Sequence, residues 1–324
     1  MGSVRVRRAA VRAILAAAVI ASCSCGSPNS ETARYVQESL AIMDRGIYAD
    51  STQWQAARQS AEKDLDGVES ISGTYSRLAR IVTIAGGPHS SYRTPAETAA
   101  HENAINATGA GSWPSVTVDN GIGILTLPTF QANNDAQVKE YVDRGVNSIE
   151  VHANEALYGW LIDIRWNQGG NVYPMLAAVS PLLTDGVVLQ YVDREGVMSS
   201  VVVHGTTVSF RNEVSVVSSF QNARKIHAPI AVVQSQMTTS AGEGVAVAFR
   251  GQPDSLAFGE STFGFSTSNV TVSLSDGALI VITTATFADR AGNVYGGRIE
   301  PDRRVALSSA IGSAEQWVRE DSTG

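Results

Sequence analysis

The protein is a chain of 324 residues with 44% hydrophobic and 17% charged side chains, a balance typical of globular proteins rather than of disordered ones. Its formal net charge is −7, although the first 22 residues contain four arginines and no acidic residue. The rest of the chain carries 20 basic against 31 acidic side chains, so we expect no nucleic-acid partner.

The N-terminus has the plan of an export leader. An arginine-rich start precedes an apolar run over residues 13–21 that is too short to span a bilayer. Ile20-Ala21-Ser22-Cys23 is similar to a bacterial lipobox, which implies removal of residues 1–22 and lipidation of Cys23. The similarity predicts an exported lipoprotein of the cell membrane that faces away from the cytoplasm. The alternative is a plain secretory signal cleaved near Cys25 or Gly26.

Both cysteines of the chain, Cys23 and Cys25, belong to this N-terminal segment. The folded body therefore has no cysteine, which excludes disulfides, thiol catalysis and cysteine metal sites there. We expect residues 23–31 to form a linker, and we expect no metal and no cofactor.

Apolar residues at helical spacing predict three helices between residues 32 and 84. The three sets are Val36, Leu40, Met43 and Ile47; Trp54, Ala57, Ala61 and Leu65; and Tyr75, Leu78 and Val82. Gly86-Gly87 ends the third helix, and Thr94-Pro95-Ala96-Glu97 reads as a capping box that opens a fourth. We assign residues 32–112 to an N-terminal helical domain.

From Trp113 onward, strand-like runs alternate with helical stretches, which favours an α/β core over residues 113–310. The predicted strands are 115–119, 122–127, 161–164, 187–192, 201–204 and 230–233, and the predicted helices are 138–153 and 172–183. Residues 270–284 read as β structure around a Ser275-Asp276-Gly277 turn, and residues 311–324 as a C-terminal tail.

Ser240 lies at a turn between the strand-like run 230–233 and an apolar helix. A helix N-terminus supplies unpaired N–H groups and a positive dipole, which an oxyanion needs, although Ser240 could also be only a helix cap. An α/β-hydrolase elbow is excluded, because its histidine follows the serine and no histidine follows Ser240.

Two further turns carry candidate groups. In Asp163-Ile164-Arg165-Trp166-Asn167-Gln168-Gly169-Gly170 a strand breaks at paired glycines, which let the backbone approach a ligand and point amides at it. An ordinary strand-to-helix turn would look the same. In Gly86-Gly87-Pro88-His89-Ser90 a histidine directly follows a helix end, and such a loop histidine often has no function.

Together, the three turns resemble the tail-specific (C-terminal processing) serine proteases, in the branch related to the nisin-resistance protein. The 163–170 segment is similar to that family's D-x-R-x-N-x-G-G pattern, and Gly292-Asn293-Val294-Tyr295-Gly296-Gly297-Arg298-Ile299-Glu300-Pro301-Asp302 resembles its terminal G-x-x-P-D segment. The resemblance implies a crotonase-like α/β core, with the N-terminal helices as a cap. Ser240 would be the nucleophile, and the amides of Ala241 and of Gly169 or Gly170 would hold the oxyanion.

The base differs among the members of this family. The lysine that many of them use corresponds here to Phe265, and no lysine follows Ser240. The nisin-resistance-like branch instead takes a histidine from the end of its helical region, which implies His89. An imidazole with an ordinary pKa near 6.5 would make activity fall below about pH 6 to 7.

Candidates to orient His89 are Glu243, Asp289 and Glu300, unless the site is a dyad without an acid. Only about twenty residues separate Tyr92 from Trp113, too few for the peptide-binding PDZ domain that many family members insert. The expected function is a lipid-anchored serine endopeptidase that acts on peptides or unfolded proteins. The alternative is an inactive peptide- or lipid-binding lipoprotein on the same fold.

Overall fold

The computed structural model describes residues 28–66, 68–107, 113–131 and 134–322. The expected leader, its lipobox and Cys23 and Cys25 lie outside these residues. Among the described residues, none of the helices is long and apolar enough to cross a membrane.

Four helices come first, as the sequence predicts. They are α1 (Pro28–Met43), α2 (Thr52–Asp64), α3 (Ile71–Gly86) and α4 (Pro95–Ala107), with a short strand β1 (Ser91–Arg93) before α4. Ser51 and Ser70 cap α2 and α3 through their side chains. The capping box before α4 forms as expected, because the N–H of Thr94 donates to Glu97 at 2.8 Å and Glu97 donates back to the Thr94 hydroxyl at 3.3 Å.

A six-stranded sheet forms the centre of the protein and is parallel except for one edge strand. Its order is β13-β10-β9-β4-β3-β2, and only β2 runs antiparallel, against β3. The strands are β2 (Ser115–Asp119), β3 (Ile122–Thr126), β4 (Gly159–Asp163), β9 (Ile230–Gln234), β10 (Ser255–Gly259) and β13 (Arg303–Arg304). Strand β9 is buried at all five residues, which explains its continuous apolar sequence.

Three helices follow strands of this sheet along the chain: α5 (Asp135–His152), α6 (Val172–Ala178) and α7 (Ala241–Ala248). The sequence predicts one helix over 172–183, but α6 ends at Ala178 and a 3-10 turn covers Ser180–Leu182. The physical reason is Pro181, which has no N–H to donate within a helix. Pro181 also disfavours the α-helical backbone conformation of Ser180, the residue before it. A last helix, α8 (Ala310–Asp321), packs on the sheet.

A second sheet of seven strands is antiparallel, in the order β1-β12-β5-β6-β7-β8 with β11 also paired to β12. The strands are β5 (Gly186–Asp193), β6 (Met198–His204), β7 (Thr207–Phe210), β8 (Glu213–Val217), β11 (Thr267–Ser273) and β12 (Leu279–Ala288), with β1 from the N-terminal region. The expected hairpin around Asp276 is thus β11 and β12.

The N-terminal helices do not enclose a separate core. Their buried residues, such as Leu40 and Val82, belong to one cluster with Ile280 and Ile282 of β12. Strand β1 also pairs with β12, with Tyr92 opposite Ile280. The helices α1–α3 are therefore packed onto the hairpin that comes nearly 200 residues later, and the boundary between residues 112 and 113 stays a prediction.

Candidate active site

The candidate residues meet at the C-terminal edge of the parallel sheet. Strands β4 and β9 are parallel neighbours, with Asp163 opposite Val233. Gly169 and Gly170 lie in the loop after β4, and Ser240 ends the loop after β9, directly before α7. In open α/β sheets, the loops after adjacent strands build ligand sites at this edge.

Ser240 has a strained backbone, with φ +54° and ψ −116°. Positive φ is uncommon for residues other than glycine and is typical of functional turns that the surroundings hold in place. Here the N–H of Ser240 donates to Oε2 of Glu243 at 2.8 Å. The residue is partly exposed at the N-terminus of α7, where the helix dipole and unpaired N–H groups favour negative charge.

Glu243 anchors this turn from inside the protein. Its carboxylate is fully buried, and burial raises its pKa. Besides Ser240, it accepts hydrogen bonds from the hydroxyl of Thr262 at 2.5 Å and from the N–H groups of Gly264 and Phe265 at 2.9 and 2.8 Å. One carboxylate thus joins the Ser240 turn to residues 262–265.

Gly169 packs directly against the Ser240 turn. A β-carbon at this position would lie 2.8 Å from Cβ of Ser240, and φ is +95°. The N–H of Gly169 donates to Oδ1 of Asn167 at 2.9 Å, so that amide already has an acceptor. The main-chain carbonyl of Asn167 in turn accepts from the N–H of Thr239 at 2.9 Å, which joins the two loops.

Gly170 and Ala241 present the other two candidate amides. Gly170 has φ +115° and forms a parallel β-bridge with Phe130. In this bridge the N–H of Phe130 donates to the carbonyl of Gly169 and the N–H of Asn171 donates to the carbonyl of Phe130, so the N–H of Gly170 takes no part. Ala241 is the first residue of α7, so its N–H has no acceptor within the helix. Of the two glycines predicted for the oxyanion, Gly170 therefore has the uncommitted amide.

His89 lies in the turn between α3 and β1, half-buried. Its Nδ1 is 2.7 Å from Oγ1 of Thr267 on β11. Its ring stacks on Phe265, with 4.5 Å between ring centroids and 16° between planes. Burial lowers the pKa of His89 to about 4, so the imidazole is neutral at pH 7.

Strands β11 and β12 hold this turn in place. The N–H of Thr283 on β12 donates to Oγ of Ser90 at 3.0 Å. Nδ2 of Asn269 on β11 donates to the main-chain carbonyl of His89 at 3.3 Å, and its Oδ1 accepts from Thr283 at 2.7 Å. The position of His89 therefore depends on the hairpin as much as on its own helix.

These contacts give His89 a hydrogen-bond partner other than the three predicted carboxylates. Thr267, and not Glu243, Asp289 or Glu300, is bonded to Nδ1 of His89. The other two carboxylates are occupied elsewhere: Asp289 accepts from Ala291, Asn293 and Tyr295, and Glu300 accepts from Ser261 and Arg304. A threonine on a distant strand carries no sequence signal for this role, which is why Thr267 was missed.

Ser240 and His89 are connected through two intermediate residues. The His89 ring stacks on Phe265, whose N–H donates to Glu243, and the same Oε2 accepts from Ser240. The described contacts include no hydrogen bond between the Ser240 and His89 side chains. Such catalytic bonds are often long in proteins without substrate and shorten in its presence.

A cavity lies beside the candidate site, on the side of the helical region. A cavity of about 470 Å³ adjoins the His89 turn at Gly87, and its other lining residues are Tyr48, Ser51, Gln53, Thr83 and Ile84 of the helical region. Within the described ranges, no group of three or more histidine, cysteine or acidic residues could hold a metal ion. The candidate site is therefore recognised by the hydrogen bonds and packing contacts among its residues.

Comparison with known proteins gives a consistent family. Residues 121–305 match the family model described as "Peptidase family S41". The nisin-resistance protein of Lactococcus lactis is 30% identical over 291 residues, which cover 88% of this chain and 86% of that protein. The chloroplastic C-terminal processing peptidase of Tetradesmus obliquus is 25% identical over 184 residues, 56% of this chain and 34% of that protein.

Two solved structures share the fold. A lipoprotein from Streptococcus agalactiae aligns with a TM-score of 0.75 and 24% identity, over 90% of this chain and 96% of that one. The photosystem II D1 C-terminal processing protease aligns with a TM-score of 0.63 and 16% identity, over 90% of this chain and 98% of that one. Both alignments include the N-terminal helices as well as the sheets.

Proposed function

Because the chain belongs to peptidase family S41, we propose that it is a serine endopeptidase with Ser240 as nucleophile and His89 as general base. The observation that carries the proposal is the strained Ser240, packed against Gly169 at the N-terminus of α7. An ordinary helix cap needs neither the positive φ nor the close glycine. The proposed substrates are peptides, protein tails or unfolded proteins.

In the proposed reaction, Oγ of Ser240 attacks the carbonyl carbon of the scissile peptide while His89 takes its proton. The C–O bond forms, and the carbonyl electron pair moves to the oxygen as an oxyanion. When the intermediate collapses, the C–N bond breaks and His89 gives its proton to the departing amine. Water then hydrolyses the acyl-enzyme by the same proton transfers in reverse.

The contacts of His89 support its assignment as base. Nδ1 is engaged with the Thr267 hydroxyl, so Nε2 is the nitrogen available to Ser240. A pKa of about 4 keeps the imidazole in the unprotonated form that a general base needs near pH 7, but makes it a weaker base than an imidazole with an ordinary pKa. Thr267 is then a positioning residue, which replaces the carboxylate of a Ser-His-Asp triad with a neutral hydroxyl.

We assign the oxyanion to the N–H groups of Ala241 and Gly170. The amide of Gly169 is the weaker candidate because it already donates to Asn167. Two amides at a helix N-terminus and a glycine turn stabilise developing negative charge without reorganisation, which is usually a large part of catalysis.

We further propose that the parallel sheet is a crotonase-like protease core capped by the N-terminal helices, and that lipidation of Cys23 anchors the protein outside the cytoplasm. The similarity to a protein called nisin-resistance protein supports action on extracellular peptides. The shared fold with a streptococcal lipoprotein supports the anchor.

A serine-reactive fluorophosphonate probe tests the proposal. We expect covalent labelling of the wild type and none of Ser240→Ala. Ser309→Ala is the matched control, because Ser309 also stands at a helix N-cap, before α8, but with an ordinary φ of −105°. A folded wild type that resists the probe while binding peptides would instead support an inactive binding protein.

A further inference from the structure

Three large apolar side chains are exposed at the edge of the sheet that carries Ser240. Trp166, Met237 and Phe263 are 61%, 41% and 46% exposed. They follow the ends of three adjacent parallel strands, β4, β9 and β10, by three, three and four residues. The three residues, here called the apolar row, therefore lie in neighbouring loops along one edge.

Hydrogen bonds hold these loops to the Ser240 turn. The N–H of Phe263 donates to the carbonyl of Thr238 at 2.9 Å. The N–H of Thr239 donates at 2.9 Å to the carbonyl of Asn167, the residue after Trp166. Met237 precedes both bonded threonines in the same turn. The apolar row is thus fixed relative to Ser240.

Several polar side chains of these loops face inward, although Gln168 and Gln236 are exposed. Oγ of Ser235 donates to the carbonyl of Arg165 at 2.5 Å, and Oγ1 of Thr238 donates to that of Ile164 at 2.8 Å. The Arg165 guanidinium is bound to both oxygens of Asp163, at 2.9 and 2.8 Å, so its charge is paired. The large side chains exposed at this edge are therefore those of the apolar row, beside the two uncharged glutamines.

Phe263 also connects the row to the proposed base. Its ring meets Phe265 edge-on at 4.7 Å, and Phe265 stacks on His89 at 4.5 Å. A substrate side chain on Phe263 would lie two aromatic contacts from the imidazole. Exposed apolar groups held on rigid loops beside a reactive centre mark a binding surface.

We propose that the apolar row is the subsite for a substrate side chain next to the scissile bond, and that it selects peptides with a bulky aliphatic or aromatic residue there. The inference rests on the proposed peptidase function. The occupant is an extended peptide, because the row continues directly into the Ser240 turn where the scissile carbonyl would lie. Polar or acidic residues would gain nothing from this surface.

The experiment compares Trp166→Ser and Phe263→Ser with the wild type in three measurements. These are the rate of fluorophosphonate labelling, the residues around each bond cut in a peptide library, and the binding of a leucine- and phenylalanine-rich peptide against its serine- and asparagine-substituted counterpart. Leu157→Ser is the matched control, because Leu157 is 76% exposed but precedes β4, at the opposite edge of the same sheet. Trp166→Phe tests conservative rescue.

We expect bulky apolar residues to be enriched next to the bonds that the wild type cuts. Both serine variants should lose at least about 10-fold in kcat/KM on such peptides and should bind them less tightly. Leu157→Ser and Trp166→Phe should behave like the wild type. Cleavage without apolar enrichment, or equal losses in Leu157→Ser, would overturn the inference.

A wild type that neither reacts with the probe nor cuts peptides would contradict the peptidase function instead. The binding measurement still decides the inference in that case. Apolar peptide that binds equally well to wild type and to both serine variants would show that the row is no subsite.

Discussion

The imidazole of His89 and the hydroxyl of Thr267 are 2.7 Å apart, although 178 residues separate them along the chain. A hydroxyl at this place orients the ring, but it can donate or accept and so does not fix the tautomer as the carboxylate of a Ser-His-Asp triad does. It brings no negative charge to stabilise an imidazolium. Orientation and basicity of His89 are therefore controlled separately, by Thr267 and by burial.

Thr267→Val should lower kcat about 5-fold with little change in KM, because a hydrogen bond that positions the base, with a net contribution of about 1 kcal/mol, is lost. Thr267→Ser should retain most of the activity. Steady-state kinetics with one fluorogenic peptide checks both variants. Equal activity of the valine and serine variants would show that the hydroxyl does not position His89.

Activity should continue into mildly acidic solution. The unperturbed imidazole predicts a fall in activity between about pH 7 and 6, but burial lowers the pKa of His89 to about 4. We expect kcat/KM to be level from pH 8 to 5 and to fall only near pH 4. A midpoint between pH 6 and 7 would contradict the buried, neutral base.

The same shift has a consequence for stability, which serves as the control. The unfolded chain binds a proton on this histidine near pH 6.5, before the folded protein does, so folding stability should decrease as pH falls from about 6.5 towards 4. Melting temperatures measured at each pH separate unfolding from protonation of the base.

Ser240→Ala and His89→Ala should each reduce turnover by at least about 10³-fold, and the double variant should be scarcely worse than either. Residues that act as one unit lose their effect together. Peptide binding should survive in all three variants. An active but less stable Ser240→Ala protein would show that Ser240 only caps α7, since loss of a cap costs about 1 kcal/mol.

Gly169→Ala should abolish labelling by the fluorophosphonate, because the new methyl group would lie 2.8 Å from Cβ of Ser240. Gly186→Ala is the matched control. Gly186 has a similarly positive φ of +117°, but a β-carbon there meets no atom within 4 Å. Comparable loss of labelling in both variants would point to backbone strain rather than to contact with Ser240.

The Cys23→Ala protein should be absent from the membrane fraction or should retain its leader. The Cys25→Ala protein should be lipidated and anchored like the wild type. Cell fractionation and intact-mass measurement of the mature protein check this expectation. Unchanged membrane association of Cys23→Ala would show that another group is the anchor.

Periodic and capped elements of the fold could be predicted from the sequence, and so could the turns with Ser240, Gly169 and His89. The hairpin of β7 and β8 was missed because its turn is Arg211-Asn212, with φ of +51° and +64° but no glycine. Strand β10 is short and lacks alternation. Thr267 could not be foreseen, since only the folded hairpin brings β11 to the His89 turn.

The packing of α1–α3 on the β11–β12 hairpin also affects when activity can begin. His89 emerges early in synthesis, well before Ser240, while the strands that hold its turn come near the end of the chain. In a partly synthesised chain these strands are absent, so the His89 turn lacks its supporting contacts even after the helices have formed. If the chain is the peptidase proposed above, its activity can begin only after the last third of the protein has been made and folded.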